Sequence, residues 1–204
     1  MTQITVGLRV FVVFMMTLAA AATGALAQDA KPLEVALGAE DAPVTVVEYM
    51  SLTCPHCANF HNTVLPDVMK AYVDTGKVRM VFRDYPLDGI AYRAAIVSHC
   101  MAESGPKRYH GFVSILFQQQ RRWATAADPM AEVAKLARIG GLSQEKFDAC
   151  LANEAYAQGV LLSYQQGETE FGVRSTPSFI VNGRLVSGEM TFEEFQKVVD
   201  PLIN

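Results

Sequence analysis

Apolar and polar positions change period several times along this chain, and the changes divide it into elements. Val44-Thr45-Val46-Val47-Glu48-Tyr49-Met50-Ser51-Leu52 is nearly continuous in apolar character, and its Val44–Tyr49 part reads as a buried strand. A helical pattern from Ala58 to Asp74 follows, in which Pro66 is expected to produce a kink or to open a second helix after a break. Lys77 to Tyr85 then alternates, Val78, Met80 and Phe82 against Lys77, Arg79 and Arg83, which predicts a strand with one buried face. Beyond Asp88 no strand-like run appears until Pro177. The spacing predicts helices over Ala91–Glu103, Lys107–Gln120, Pro129–Ile139, Ser143–Leu151 and Glu154–Phe171, separated by Ser104-Gly105-Pro106, Asp128-Pro129 and Gly140-Gly141. Strand character returns at Pro177–Val181. Asn182-Gly183 is a two-residue hairpin signal leading into Arg184–Val186. Thr191 is placed to cap a final helix, Phe192–Ile203, with Glu193 and Glu194 in its first turn. A brief strand over Leu33–Leu37 completes the order: βαβ, a block of helices, then ββα.

The first residues read as an export signal rather than as part of this pattern. Met1–Arg9 holds one positive charge, Val10–Ala22 is apolar apart from Thr17, and Ala25-Leu26-Ala27 is a small-residue cleavage box. Residues 1–27 are therefore expected to be a signal peptide cleaved after Ala27, the alternative being an uncleaved membrane anchor. The signal inflates the 50% hydrophobic content, and no later apolar run reaches a spanning length. A formal net charge of −4 gives no basic surface for nucleic acid. Residues 28–204 suit one domain, or one domain carrying an insertion.

Four cysteines in an exported chain change the picture most. Cys54, Cys57, Cys100 and Cys150 allow three pairings. Cys54-Pro55-His56-Cys57 joins the central strand to the following helix. Cysteines at i and i+3 share one helical turn and can close a small disulfide. The first thiol sits at a helix N-terminus, where unpaired N–H groups and the helix dipole favour a thiolate; the second is shielded one turn further in. A zinc site would require further ligands, commonly a second CxxC, and the chain has none, so no metal is expected. A purely structural disulfide over so short a loop would constrain the unfolded chain little. The motif thus points to redox chemistry. Pro55 preorganises the first turn, and a His56 ring near Cys54 would stabilise its thiolate and make the disulfide more oxidising. If Cys54 pairs with Cys57, Cys100 and Cys150 remain. A structural bridge between them is expected, with a second redox pair or two buried thiols as the alternatives. His61, His99 and His110 are expected at the surface, and Trp123 in the core or an interface.

Cys-Pro-His-Cys, the export signal, the helical block and the later proline together resemble the bacterial DsbA family of periplasmic disulfide oxidases, over roughly residues 33–204. The resemblance implies a thioredoxin-like α/β fold, with a core of 33–87 and 166–204 and an inserted helical domain over 88–165. It implies Cys54 as nucleophile, Cys57 as resolving thiol and His56 as the residue tuning them. It also implies a cis Thr176–Pro177 bond opposite the dithiol, beside which an extended substrate peptide pairs. Threonine before that proline occurs in related isomerases and some oxidases, whereas valine is frequent in well-studied oxidases. Taken alone, Glu48 reads as a solvated strand residue; the family implies a buried acid that assists proton transfer near the resolving thiol. Some DsbA-like proteins carry a second bridge of the Cys100–Cys150 kind. The implied activity is oxidation of newly exported, reduced proteins by a periplasmic monomer without a cofactor, reoxidised by a membrane quinone-linked, DsbB-like partner. The alternative is a periplasmic disulfide isomerase or reductase on the same fold.

Overall fold

The computed structural model describes residues 32–203; the expected signal peptide, residues 1–27, lies outside them. Five strands form one sheet: β1 (Glu34–Leu37), β2 (Val44–Met50), β3 (Val78–Asp84), β4 (Ser178–Val181) and β5 (Arg184–Ser187), in the order β1-β3-β2-β4-β5. Only β2 and β3 are parallel, as the helical crossover between them requires. The rest pair antiparallel. The strand leading into the dithiol is therefore the central one. The β4–β5 hairpin turns at Asn182 (φ 44°) and Gly183 (φ 87°), the two left-handed residues that a tight primed turn needs. Asn182 also accepts from Thr45 N–H at 2.8 Å, tying the hairpin to β2.

The helices are α1 (Pro55–Asn59), α2 (Leu65–Val68), α3 (Gly89–Ala102), α4 (Pro106–Gln118), α5 (Gln120–Ala124), α6 (Pro129–Ile139), α7 (Gln144–Leu151), α8 (Glu154–Thr169) and α9 (Phe192–Val199). Their starts follow capping chemistry. Asp88, Asp128, Ser143 and Asn153 each accept backbone N–H groups at a first turn, and Thr191 and Glu194 form a full capping box.

Three sequence expectations shift. The helix after β2 begins at Pro55 rather than Ala58, and it remains helical to Val73 through two π-type turns, Phe60–Val64 and Met69–Val73. Pro66 sits at the start of α2, where a missing N–H costs least, and the wide turn before it is closed by Leu65 N–H to Phe60 O. Second, β3 is covered on both faces. Val81 is buried, and the half-buried Arg83 donates to Glu34, to the Tyr49 hydroxyl at 3.0 Å and to Gln166. The cover is α8, whose Gly167 lies against the Tyr49 ring. α8 also accepts Leu33 N–H at Gly159 O, so it runs across residue 165 while bonded to the sheet's first segment. Third, the last helix stops at Val199, and Asp200–Leu202 forms a 3₁₀ turn around Pro201. Trp123 is fully buried, and its indole N–H donates to Leu116 O at 2.8 Å.

Candidate functional site

The Cys54–Cys57 dithiol lies where β2 passes through Ser51-Leu52-Thr53 into α1. Cys54 has an extended backbone (φ −75°, ψ 121°) and is the N-cap residue; Pro55 occupies the first helical position. Ala58 N–H reaches back to Cys54 O, closing the first turn. Two remote segments hold this corner. Gln120 donates from Nε2 to both Leu52 O and Cys54 O at 2.9 Å. The Thr53 hydroxyl donates to Asp88, whose other oxygen caps α3. Neither Gln120 nor Asp88 carries a sequence signal for this role, because the contacts span 66 and 35 positions.

The two sulfurs have different environments. Cys54 is 4% exposed and Cys57 fully buried. The Cys57 thiol beside Cys54 lowers the Cys54 pKa from 9.0 to about 5, against the effect of burial. The Thr176 side chain and the N–H groups of Cys57 and His56 add to the lowering. These backbone donors are the free N–H groups of a helix start. Burial pushes the Cys57 pKa far above the ordinary range, assisted by its bond to Cys54 and by the charge of Glu48. One thiol is thus an anion at neutral pH and the other is not.

Pro177 follows a cis peptide bond from Thr176. Cys54 Sγ lies 3.2 Å from Thr176 O, to which it donates when protonated, so the segment before the proline touches the nucleophilic sulfur directly. The Thr176 hydroxyl oxygen is buried with no other partner, which leaves it free to donate to a thiolate.

His56 has a partner that its place in the sequence did not point to. Its side chain is 73% exposed, and Nδ1 lies 2.9 Å from Glu189 Oε2, in the loop between β5 and α9. Asn59 donates to the other oxygen of the same carboxylate. The bond to Glu189 is the largest cause of a raised His56 pKa; the Cys54 charge contributes less. Within the site, His56 acts on Cys54 through its backbone N–H and, reciprocally, through that charge.

Glu48 is fully buried, and so is the His61 side chain, whose Nε2–H donates to both Glu48 oxygens at 3.0 and 3.1 Å. The surface expectation for the histidines is corrected here. His61 is buried beside Glu48; His99 is buried, 2.5 Å from Asp84 Oδ2; His110 is half-buried. A buried carboxylate requires a donor, and in both pairs histidine supplies it. The i, i+4 spacing of Cys57 and His61 on one helix was the available signal for His61.

Cys100 and Cys150, on α3 and α7, are joined in a disulfide with Cα atoms 6.1 Å apart. The bridge ties two helices of the helical block.

A sheet of this order, a dithiol at the central strand's end and a facing cis-proline define a thioredoxin-fold dithiol protein. A family model described as "Thioredoxin" matches residues 30–201, and the chain belongs to that family. Within it the likeness is to DsbA-type thiol–disulfide oxidoreductases. The crystal structure of Wolbachia pipientis alpha-DsbA1 superposes with a TM-score of 0.76 at 28% identity, over 85% of this chain and 93% of that one. Oxidised BdbD of Bacillus subtilis shares the fold, with a TM-score of 0.73 at 22% identity over 85% of this chain and 96% of its own. Disulfide bond formation protein D of Bacillus subtilis is 26% identical over 80% of this chain and 74% of its own length. A Rickettsia felis protein, provisionally named a protein-disulfide oxidoreductase, is 30% identical over 82% of this chain. The match spans only 59% of that relative's length.

Proposed function

We propose that this protein is a thiol–disulfide oxidoreductase that introduces disulfides into reduced, exported proteins in the periplasm. The observation that carries the reading is the asymmetry of the dithiol: Cys54 with a pKa of about 5 beside a buried Cys57 with a strongly raised one. Stabilising the Cys54 thiolate stabilises the reduced protein, and a dithiol whose reduced form is stabilised is an oxidant.

In the oxidised protein a substrate thiolate attacks Cys54 Sγ. The Cys54–Cys57 bond breaks, its electron pair leaves on Cys57, and a mixed disulfide forms with the peptide beside Thr176 and Pro177. A second substrate thiolate then attacks the substrate sulfur, and Cys54 departs as the stabilised thiolate. Pro55 fixes the start of the turn, His56 tunes Cys54 from the Glu189 side, and Glu48 serves proton transfer at Cys57. The Cys100–Cys150 bridge is structural, within a helical module over 88–165 set into the thioredoxin-like core. Among the described residues no helix is long and apolar enough to cross a membrane; the protein works as a monomer exported by its signal. Reoxidation falls to a membrane quinone-linked partner of the DsbB kind; neither cofactor nor nucleic acid enters the cycle.

The test uses a reduced two-cysteine peptide and a scrambled disulfide protein. The oxidised protein is expected to oxidise the peptide stoichiometrically, and Cys54→Ser to abolish this. Efficient reshuffling of the scrambled protein with weak peptide oxidation would overturn the oxidase reading in favour of an isomerase. So would an equilibrium with glutathione giving a potential near that of thioredoxin, about −270 mV.

A further inference from the structure

Beneath the dithiol, the Glu48–His61 pair leads away from Cys54. His61 is four positions after Cys57, so both side chains leave the helical segment on the side facing β2. Nε2–H of His61 is committed to Glu48, while Nδ1 is buried and has no protein partner. A second orphan lies close by. His110 of α4 has Nε2 buried without a partner, and the His61 charge adds to burial in lowering its pKa.

Two unpartnered imidazole nitrogens are costly in a dry core, and here both residues line one cavity. It lies between the Phe60–Val73 segment and α4, has a volume of about 240 Å³, and is also lined by Asn62, Asp74, Ser114 and Gln118. That is polar and roomy enough for water. His110 and Asp74 also line an adjoining cavity of about 330 Å³, beside Lys107.

The groups facing the path can be named element by element. Glu48 comes from β2, Phe82 from β3, Phe117, His110 and Lys107 from α4, and Asp74 from the end of the helical segment. The rings of Phe117 and Phe82, with centroids 4.3 and 5.7 Å from that of His61, hold the His61 ring in place.

We propose that His61 and His110 are positioning residues of a proton outlet for the resolving thiol, connecting Cys57 through Glu48 to water in the α4 cavity without passing Cys54. The inference rests on the dithiol reading above. When a thiolate attacks Cys54 Sγ, Cys57 leaves as a thiolate in surroundings that strongly disfavour the anion. It takes one proton from the Glu48–His61 pair and becomes a thiol. The pair regains one proton from water through His110, and on reoxidation the same proton leaves by the same route. Imidazoles suit this relay, since each accepts at one nitrogen while donating at the other.

The test follows reduction of the Cys54–Cys57 disulfide by dithiothreitol in the full-length protein, by acid quench and thiol alkylation between pH 5 and 8. This reaction does not depend on which direction the protein runs with its substrates. His61→Gln is expected to slow the reaction about 100-fold, and His110→Ala about tenfold, with altered pH profiles. The Cys54 thiolate titration should stay near pH 5 in both. Added imidazole, which fits the space vacated in His110→Ala, is expected to restore its rate. Unchanged rates and pH profiles, or a slow His110→Ala that imidazole leaves slow, would overturn the outlet. Failure of the wild type to oxidise peptide while these differences with dithiothreitol persist would instead overturn the oxidase reading alone.

Discussion

The stability of the Cys54 thiolate should make the reduced protein's folding depend on pH in a way the oxidised protein's does not. The folded pKa is about 5 against an ordinary 9.0, so it is depressed. The stabilisation is then fully present above about pH 9 and disappears as pH falls through about 5. Its full extent is at most about 5 kcal/mol. At pH 7 the unfolded thiol is still protonated, so only the interval from about 5 to 7 counts, or about 3 kcal/mol. For a two-electron couple that is about 60 mV of added oxidising power. The oxidised protein has no thiolate and otherwise carries the same ionisable groups. Subtracting the two unfolding free energies therefore reports the dithiol together with the charge it shares with His56. Urea unfolding of both forms at pH 5, 7 and 9 should show the reduced form gaining about 1.4 kcal/mol per pH unit over the oxidised one. Absorbance at 240 nm should report one thiolate transition near pH 5, absent in Cys54→Ser. A reduced-minus-oxidised difference that stays flat from pH 5 to 9, or a transition above pH 8, would refute the reasoning.

Other perturbations probe the supports of the site. Glu189→Gln removes the largest cause of the raised His56 pKa, so the His56 ring should titrate at lower pH by NMR, with the Cys54 transition displaced less. Replacing Cys100 and Cys150 together with alanine opens a loop of 50 residues and should cost about 4 kcal/mol in guanidinium unfolding, with the dithiol still reactive. Gly167→Ala would place a methyl group 2.8 Å from the Tyr49 ring and should destabilise the protein by about 1–3 kcal/mol, measured by the same unfolding.

Much of this protein was legible residue by residue. Most helices of the block appear where their periodicity and capping residues put them, Pro129–Ile139 to the residue, while the expected Lys107–Gln120 helix ends at Gln118 and is followed by the unforeseen α5. Asn182-Gly183 makes its hairpin and Thr191 its cap. Cys54-Pro55-His56-Cys57 lies at a strand-to-helix junction. These features depend on dihedral preferences and on hydrogen bonds spanning a few positions, and such terms are written in the local sequence.

The polar residues were decided elsewhere. Taken alone Glu48 reads as a solvated strand residue, a buried acid only through the family likeness, and His61 and His99 read as surface histidines. Whether a polar side chain is buried depends on whether the fold brings a partner to it, and neither member of the pair announces that alone. The same holds for His56. Its residue type and position suggested a role beside Cys54. The partner of its ring is Glu189, 133 positions away, and the corner it shares with Cys54 is held by Gln120, across 66. The sequence by itself determined the dithiol, its junction and the local elements around it. Only the tertiary structure decided which charges face the two sulfurs, because electrostatic effects at a buried thiol arise from neighbours in space rather than along the chain.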